Sequence, residues 1–573
     1  MGGGARCASA VVCAVDLHDD GPMRELPAGA ADPAWPASPA LLGRLLPLRI
    51  ANGMAQRPGL QACMRVLVLL AAFIAIDRLI LRLGALPQAA HFEPVLALEM
   101  LRGIGWPLGL MASLGLGLVA RFGALGAGWA AFGGRPVRGF VVFLAALLTW
   151  FVVTRSHNFH FDQSYWVDKG LAGLLLALLW RRPAWILPLS LLLALLILQQ
   201  AAPALGASIL AHKLQLLHVL HLFAATVLLH ALTGRTRAAD FVFLCCCMVA
   251  GSYFTAALAK IDLQWWRYDQ IHLLPVAAYA HGWLDFLGAD GVGALARALQ
   301  PVEPVMRWAV LAVETGCLFF LLHRRIAATL LVAVLVFHCG VLALYGFFFW
   351  TWMLLDIALL VLLLRGGAAL QLPAGDRALR GLSLLLIATA LLWSRPPWLG
   401  WLDTGLTYTY RFEAVDASGH RYALRPDYFA PYEDVFTMAP FSYSSRGHPA
   451  LTSSYGVTKD ADIARALGRA RSADEVFAIE QHLGRSSYIE ANAERLRDFV
   501  SRHAATRNRY IRRPADLAVL GPPAQFISHR AGAPDKEAEP ISEIVVVEVT
   551  LWFDGRQPAE IRRLEVARIP VPR

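Results

Sequence analysis

Apolar runs separated by short polar loops fill the chain from about residue 62 to residue 395. About 20 apolar residues are enough for a helix to cross the hydrocarbon core of a bilayer. The pattern predicts eleven hydrophobic segments, near 63–83, 95–120, 138–154, 169–180, 184–200, 214–232, 239–261, 305–322, 326–346, 349–364 and 380–395. The fourth is too short to span comfortably. Residues 61–396 are therefore predicted to form an all-α polytopic membrane domain.

Arginine clusters between these segments predict the orientation. Loops on the cytoplasmic side of a membrane carry an excess of Lys and Arg. With eleven spans the clusters fall in every second loop: Arg44/Arg49/Arg57/Arg65, Arg121/Arg135/Arg138, Arg181/Arg182, Arg235/Arg237, Arg324/Arg325 and Arg365/Arg377/Arg380. The N-terminus is therefore expected in the cytoplasm, with the chain in the inner membrane and everything after Arg395 outside.

The two ends of the chain have a different pattern. Residues 1–60 are rich in Ala, Gly and Pro without periodicity and are predicted to be disordered, with Met23 and Met54 as alternative start sites. Residues 400–573 are predicted to form a small α+β extracytoplasmic domain that folds on its own. Its signals are two hairpins, 407–424 and 543–569, and amphipathic helices at 461–468, 473–483 and 490–503.

Composition supports a membrane protein. The hydrophobic fraction is 57% and the mean hydropathy is +0.50. The net charge of +10 comes mostly from arginines that separate apolar segments, so no nucleic-acid partner is expected. There is no glycine pattern typical of nucleotide binding. The eight cysteines lie in apolar segments or the N-terminal leader, which does not suggest a disulfide framework.

Lys260 is the first candidate for chemistry. It ends a run of about 20 apolar residues and opens the sequence Lys260-Ile-Asp262-Leu-Gln-Trp265-Trp266. A lysine at membrane depth costs roughly 2.5–3.5 kcal/mol, so it requires a reason. One interpretation is a lysine that reaches to the interface beside two belt tryptophans. The other is a functional amine, with Asp262, Trp265 and Trp266 lining a binding site.

Histidines provide the remaining candidates. His157 and His160 lie in a loop that is predicted on the same side as Lys260, either as catalytic groups or as ordinary interfacial residues. His338 lies in the middle of a predicted span, as a catalytic group or as a hydrogen-bonded structural histidine. His218 and His221 share a helix face, which leaves a haem-ligand interpretation open. No metal site is expected.

The order of these motifs resembles the membrane domain shared by vitamin K-dependent γ-glutamyl carboxylases and bacterial horizontally transferred transmembrane (HTTM) proteins. Lys260-Ile-Asp262-Leu-Gln-Trp265 matches a Lys-Leu-Asp-x-x-Trp element of that family. Phe337-His338, followed by the aromatic cluster 347–352, resembles a later element. Residues 157–165 share residue types with an Asn-His-x-Tyr element, without a unique alignment. The resemblance covers about residues 60–395.

The resemblance implies a mechanism. A neutral lysine deprotonates a reduced naphthoquinone or another quinol from the lipid phase, and oxygenation gives a stronger base that removes a carbon-bound proton from a glutamyl side chain before CO₂ adds. A histidine would stabilise the oxyanion. The expected catalytic residues are Lys260, His157, His160 and His338, and a protein or peptide on the exterior side is the expected substrate. The alternative is a non-enzymatic protein that binds or moves a lipid or small molecule.

Overall fold

A computed structural model describes residues 58–103, 127–155, 158–201, 211–234, 236–366, 376–429, 432, 451, 453–483, 490–510, 520–526 and 540–572. Most of these residues are helical. The longer helices that precede the C-terminal domain are α1 (Pro58–Gly84), α2 (Gly134–Thr154), α3 (Trp166–Arg181), α4 (Ile186–Leu198), α5 (Ala211–Thr233), α6 (Ala238–Asp262), α7 (Leu274–Ala280), α8 (Gly288–Leu299), α9 (Glu303–Gly316), α10 (Arg324–Tyr345), α11 (Trp350–Arg365) and α12 (Arg377–Ala388).

The structure does not support eleven spans, and most of the predicted segment 95–120 lies outside the described residues. Among the described residues, five helical stretches are long and apolar enough to cross a membrane: Gly134–Thr154, Lys213–Thr233, Ala238–Asp262, Asp285–Leu322 and Arg324–Tyr345. Several other predicted segments form helices that are too short, such as the 13 residues of α4 and the 12 of α12. Hydropathy reports how apolar a segment is, but it does not show where a helix ends. The protein remains a helical protein with membrane-compatible spans.

The arginine-rich ends of several helices lie together. Arg65 near the start of α1 pairs with Asp240 at the start of α6, with 2.9 Å between Nε and Oδ2. Arg324 at the start of α10 donates to the Leu364 carbonyl at the end of α11 at 2.6 Å. The opposite ends of α2 and α10 contact residues from the C-terminal part of the chain. The helices therefore have an arginine-rich end and an end that faces the C-terminal domain.

The C-terminal part contains both predicted hairpins. Strands β2 (Leu406–Asp416) and β3 (Arg421–Ala423) form the first, and β5 (Ile541–Phe553) and β6 (Pro558–Pro570) form the second. They join in one antiparallel sheet with the order β3-β2-β5-β6. Two short strands, β1 (Leu402–Asp403) and β4 (Val457–Thr458), pair separately. The helices of this part are α13 (Ala461–Arg469), α14 (Ala473–Leu483) and α15 (Glu490–Tyr510).

Strand β5 is buried on both faces, and two different parts of the chain cover it. Ile544 and Val546 pack with α15 of the C-terminal domain. Val547 and its neighbours on the other face pack with Ala280 of α7, which belongs to the helical part. Burying such side chains stabilises each by roughly 1.5–3 kcal/mol. The sheet therefore completes its core against a segment that precedes it by more than a hundred residues.

Helix α9 has its charged side chains inside and its apolar side chains outside. Glu303, Arg307 and Glu314 are buried. On the other face, Val305 is 72% exposed and Trp308 is 60% exposed. A soluble helix has the reverse arrangement, because its apolar face packs on the core. This pattern fits a helix whose outer face contacts lipid and whose inner face lines a polar site.

Candidate functional site

Lys260 lies in the last turn of α6 and forms an ion pair with Glu314 of α9. Its Nζ lies 2.6 Å from Oε1 and 2.9 Å from Oε2, so one ammonium group binds both carboxylate oxygens. The Lys260 side chain is 14% exposed and that of Glu314 is 3% exposed. A buried ion pair requires close hydrogen-bonded geometry to offset the loss of hydration. This pair is the centre of the candidate site.

The other residues of the lysine motif have different environments. Trp265 is buried, and its ring centroid lies 6.0 Å from the Lys260 Nζ. Trp266 stacks on Trp308 with 6.2 Å between centroids. Asp262 is exposed, and the partner of Lys260 is Glu314. The carboxylate that binds Lys260 therefore comes from another helix and not from Asp262 of the same motif.

A second group of polar side chains lies on the same side of α6 as Lys260. Tyr253 precedes Lys260 by seven residues on α6, which puts both on the same side of the helix. Its hydroxyl donates to Asp356 Oδ2 of α11 at 2.6 Å and lies 3.0 Å from His338 Nε2 of α10. Because Tyr253 donates to Asp356, we assign His338 the tautomer with its proton on Nε2 and with Nδ1 as an acceptor. All three side chains are buried.

The two polar groups belong to one site. Lys260 lies within electrostatic range of His338, and Glu314 within that of Tyr253. Among the described residues, His338 Nδ1 and Trp352 Nε1 are buried without a hydrogen-bond partner. The rings of His338 and Trp352 are 6.0 Å apart, and Phe349 stacks on Trp352. An imidazole nitrogen and an indole N–H without partners therefore lie among packed aromatic rings.

The loop that follows Lys260 is held by the inner face of α9. The Glu303 carboxylate accepts from the backbone amides of Gln270 and Ile271 and from His272 Nδ1, the last at 2.7 Å. Arg307 donates to the Trp266 carbonyl at 3.0 Å. Since Glu314 lies on the same face, α9 fixes both the partner of Lys260 and the loop beside it. Its α-helical geometry then changes to a 3₁₀ turn at Cys317–Leu322.

The structure brings His160 to the C-terminal domain. Its ring stacks on Phe499 of α15 with 4.7 Å between centroids, and it is 2% exposed. Burial lowers the pKa of His160 to about 4. We call this cluster of rings the His160 junction. It consists of His160, Phe499, His91 and His503. Lys260, by contrast, contacts Glu314 and Trp265, so His160 and Lys260 are not in contact; His157 lies outside the described residues.

The histidines of α5 bind a carboxylate from α1. His221 Nδ1 lies 2.7 Å from Asp77 Oδ1, and His218 Nε2 lies 3.5 Å from the same oxygen. Arg395 binds the other oxygen at 3.0 Å. Asp77 is therefore paired with side chains from distant parts of the chain. No group of three His, Cys, Asp or Glu side chains in the described regions is arranged to hold a metal ion.

Sequence reasoning missed Glu314, Tyr253 and Asp356. Both acids were counted inside apolar segments, 305–322 and 349–364, whose mean hydropathy concealed them. An ionisable residue inside a membrane segment is itself a sign of function, so each could have been singled out as Lys260 was. The sequence did not show that these residues lie close together, because hydropathy does not say which helices are neighbours.

Comparisons with known proteins add no family assignment: the chain matches no protein-family model, no curated protein and no solved structure. The resemblance to the carboxylase membrane domain thus depends on the motifs around Lys260 and His338 alone.

Proposed function

We propose that this chain is a carboxylase-like, quinol-dependent membrane enzyme in which Lys260 takes a proton from a lipid-soluble hydroquinone. The observation that carries the proposal is the buried Lys260–Glu314 pair within electrostatic range of His338, whose Nδ1 has no hydrogen-bond partner among the described residues. A quinol hydroxyl needs a proton acceptor and a hydrogen-bond partner in an apolar site. The candidate site has both groups on neighbouring helices.

The pair explains how a lysine acts as a base inside a membrane. An ammonium cannot accept a proton, so Lys260 must first become neutral. Transfer of its proton to Glu314 across the 2.6 Å contact gives a neutral amine and a neutral acid. In a buried environment the proton transfer removes two charges together, so forming the neutral pair costs less free energy there than in water. Glu314 then acts as the proton store for Lys260.

The other side chains of the candidate site are suited to orienting the quinol. His338 Nδ1 is available to accept from one quinol hydroxyl, and Trp352 Nε1 to donate to an oxygen. Asp356 fixes His338 through Tyr253, which holds the imidazole in the tautomer with an open Nδ1. Phe349 and Trp352 provide flat apolar surfaces for an aromatic ring. Asp356 is therefore assigned a positioning role.

The alternative of a lipid or small-molecule binder, with Lys260 as the contact for an anionic headgroup, has less support. Glu314 already neutralises the Lys260 ammonium through both carboxylate oxygens. A headgroup would have to displace this carboxylate and leave it buried without a partner, which is costly.

We also propose an orientation in the inner membrane, based on the arginines. The arginine-rich ends of the helices lie on the cytoplasmic side, and the C-terminal domain lies outside. A reporter fused after Ala417 should then be exterior, and reporters at Gly234 and Gly366 should be cytoplasmic. A cytoplasmic reporter at Ala417 would contradict this orientation.

The function is tested by analysing purified protein for bound lipids and quinones and by measuring oxidation of an added naphthoquinol. We expect a co-purifying naphthoquinone and quinol oxidation that depends on Lys260. A bound phospholipid without quinone, together with no quinol oxidation, would favour the binder instead. A protein or peptide with glutamyl residues is the proposed acceptor, and CO₂ incorporation into added peptide tests it.

A further inference from the structure

A segment of the C-terminal domain, residues 520–526, lies across the end of α2 that faces this domain. Trp150, one turn before the end of α2, donates from Nε1 to the Leu520 carbonyl at 2.7 Å. Arg155, the residue after α2, donates from its guanidinium to the Pro522 carbonyl at 2.7 Å. We call residues 520–526 the strap, because they cross from α2 to the turn between α10 and α11.

The other end of the strap is held by this turn. The backbone amide of Phe348 donates to the Gln525 carbonyl at 2.7 Å. Phe347 and Phe526 form an isolated antiparallel bridge, and their ring centroids lie 4.6 Å apart in an edge-to-face arrangement. Phe526 is buried, so its ring anchors the strap by packing as well.

These contacts recognise a peptide backbone more than a particular sequence. Three carbonyl oxygens of the strap accept hydrogen bonds, and every peptide has carbonyl oxygens. The Leu520 side chain is 64% exposed and contributes little packing. Pro522 and Pro523 have no amide proton and favour an extended backbone. The surface that holds the strap is therefore suited to binding an extended peptide through its main chain.

The strap ends beside the candidate site. Phe349 directly follows the amide that binds the strap, and its ring centroid lies 5.4 Å from that of His338. The ring of Phe347 lies 6.0 Å from that of Phe349 on one side and 4.6 Å from that of Phe526 on the other. A chain of aromatic rings thus connects the strap to His338.

Gln525 is the strap residue whose side chain needs an explanation. It is 5% exposed, and its Oε1 is buried without a hydrogen-bond partner among the described residues. A buried amide oxygen without a partner costs free energy, so a contribution to stability does not explain this side chain. Glutamine has the shape of glutamate without its charge. A peptide that follows the same path would place a glutamyl side chain of this shape at the same position.

We propose that the strap occupies the binding site of a peptide partner and that Gln525 takes the place of a glutamyl residue of that partner. The partner displaces the strap and binds through the same donors of Trp150, Arg155 and Phe348. The choice of a glutamyl residue rests on the proposed function, in which such a peptide is the acceptor. The inference adds where the acceptor binds, and that the protein fills this place with its own chain.

Displacement is tested with a fluorescein-labelled synthetic peptide of residues 520–526 and the purified full-length protein, and fluorescence polarisation measures binding. In the unmodified protein the strap competes from within the same chain, so the added peptide should bind weakly. Phe526→Ala removes the ring that packs on Phe347, and this variant should bind the added peptide several-fold more tightly. Leu520→Ala is the matched control, since it changes an exposed side chain of the same segment and should leave binding unchanged.

Two substitutions in the binding surface test whether the added peptide uses the same donors. When Trp150→Phe is added to Phe526→Ala, peptide binding should weaken, because the indole donor is lost while a ring remains. Arg155→Met in the same background removes the donor to the second carbonyl and should also weaken binding.

A reversible lock keeps the inference testable if Phe526→Ala does not fold. Phe347→Cys together with Phe526→Cys places two thiols at a bridge pair, whose Cα atoms lie about 4.5–5.5 Å apart in antiparallel strands, within the range of a disulfide. The oxidised protein should bind no added peptide, because the strap is fixed in place. Reduction should then raise peptide binding in the same sample.

Equal binding of the labelled peptide by Phe526→Ala and the unmodified protein, or a lock whose reduction changes nothing, would overturn the inference. A peptide with glutamate in place of Gln525 should compete with the labelled peptide at a similar concentration, and failure to compete would overturn the assignment of Gln525. These measurements need no quinol. A protein that shows this displacement but oxidises no quinol would refute the proposed function and keep the peptide site; quinol oxidation without displacement would do the reverse.

Discussion

Two junctions connect the helices to the C-terminal domain, and they are built from opposite chemistry. The first, which we call the Asp403 junction, consists of Asp403, Tyr345 and Gln270; the second is the His160 junction. At the Asp403 junction a buried acid receives a hydrogen bond from Tyr345 at 2.8 Å. At the His160 junction rings stack, and neither His160 nitrogen has a partner among the described residues. The first junction lies within electrostatic range of Lys260. One junction is therefore held by polar contacts near Lys260 and the other by stacked rings.

Substitution of Lys260 should have the largest effect on activity, because it removes the proposed catalytic base, which lies within electrostatic range of the Asp403 junction. Lys260→Arg keeps a positive charge but cannot become neutral, and Lys260→Met keeps apolar bulk without an amine. Both should lose quinol oxidation by about 10²–10⁴-fold. Lys260→Met should also lower the thermal midpoint, because it leaves Glu314 buried without its cation. Oxygen uptake with an added naphthoquinol measures this. Full activity of Lys260→Arg would leave Lys260 as an interfacial anchor.

Loss of Glu314 should affect both activity and stability. Glu314→Gln leaves the Lys260 ammonium buried without its anion, and breaking a buried pair costs about 3–5 kcal/mol. We expect a lower thermal midpoint and little quinol oxidation. Asp262→Asn is the matched control, since Asp262 is exposed and does not pair with Lys260. A Glu314→Gln protein as stable as the control would show that the pair contributes little.

His160→Phe should separate the two junctions. It retains a ring for stacking on Phe499 and removes two buried nitrogens without partners, each of which costs about 1–3 kcal/mol. The thermal midpoint should stay equal or rise, and quinol oxidation should persist. Loss of oxidation in a folded His160→Phe protein would instead support the catalytic role that the sequence suggested for His160.

The two junctions should respond to pH in opposite directions. Burial lowers the pKa of His160 to about 4 from 6.5, so its contribution to stability is present above pH 6.5 and is lost as the pH falls through 4. Burial raises the pKa of Asp403 to about 7 from 3.8, so its contribution is present below pH 3.8 and is lost as the pH rises through 7. Hydrogen exchange at each junction across this range measures both. Asp403→Asn should abolish the alkaline loss alone.

Local signals in the sequence predicted the C-terminal sheet well. Asp416 to Gly419 and Asp554-Gly555 carry turn chemistry between alternating strands, and both hairpins form at these positions. Such signals depend on residues close together in the chain. The contacts of β5 with α7 involve residues more than two hundred positions apart, and no local pattern indicates them.

For the site, the sequence singled out Lys260 and His338 but not the residues that contact them. Lys260 and His338 lie within electrostatic range of each other. His160 was grouped with Lys260 because both were assigned to one side of the membrane. Topology gives depth and not lateral position, so the contact of His160 with Phe499 could not be foreseen.

The packing of β5 against α7 has a consequence for how such a protein is inherited and engineered. Val547 and Leu551 on one face of the sheet are covered by residues of the helical part. If the gene segment for residues 400–573 were transplanted to another membrane protein, this face would meet no complementary surface. Substitutions on this face of the sheet are therefore expected to be tolerated only together with compensating substitutions in α7.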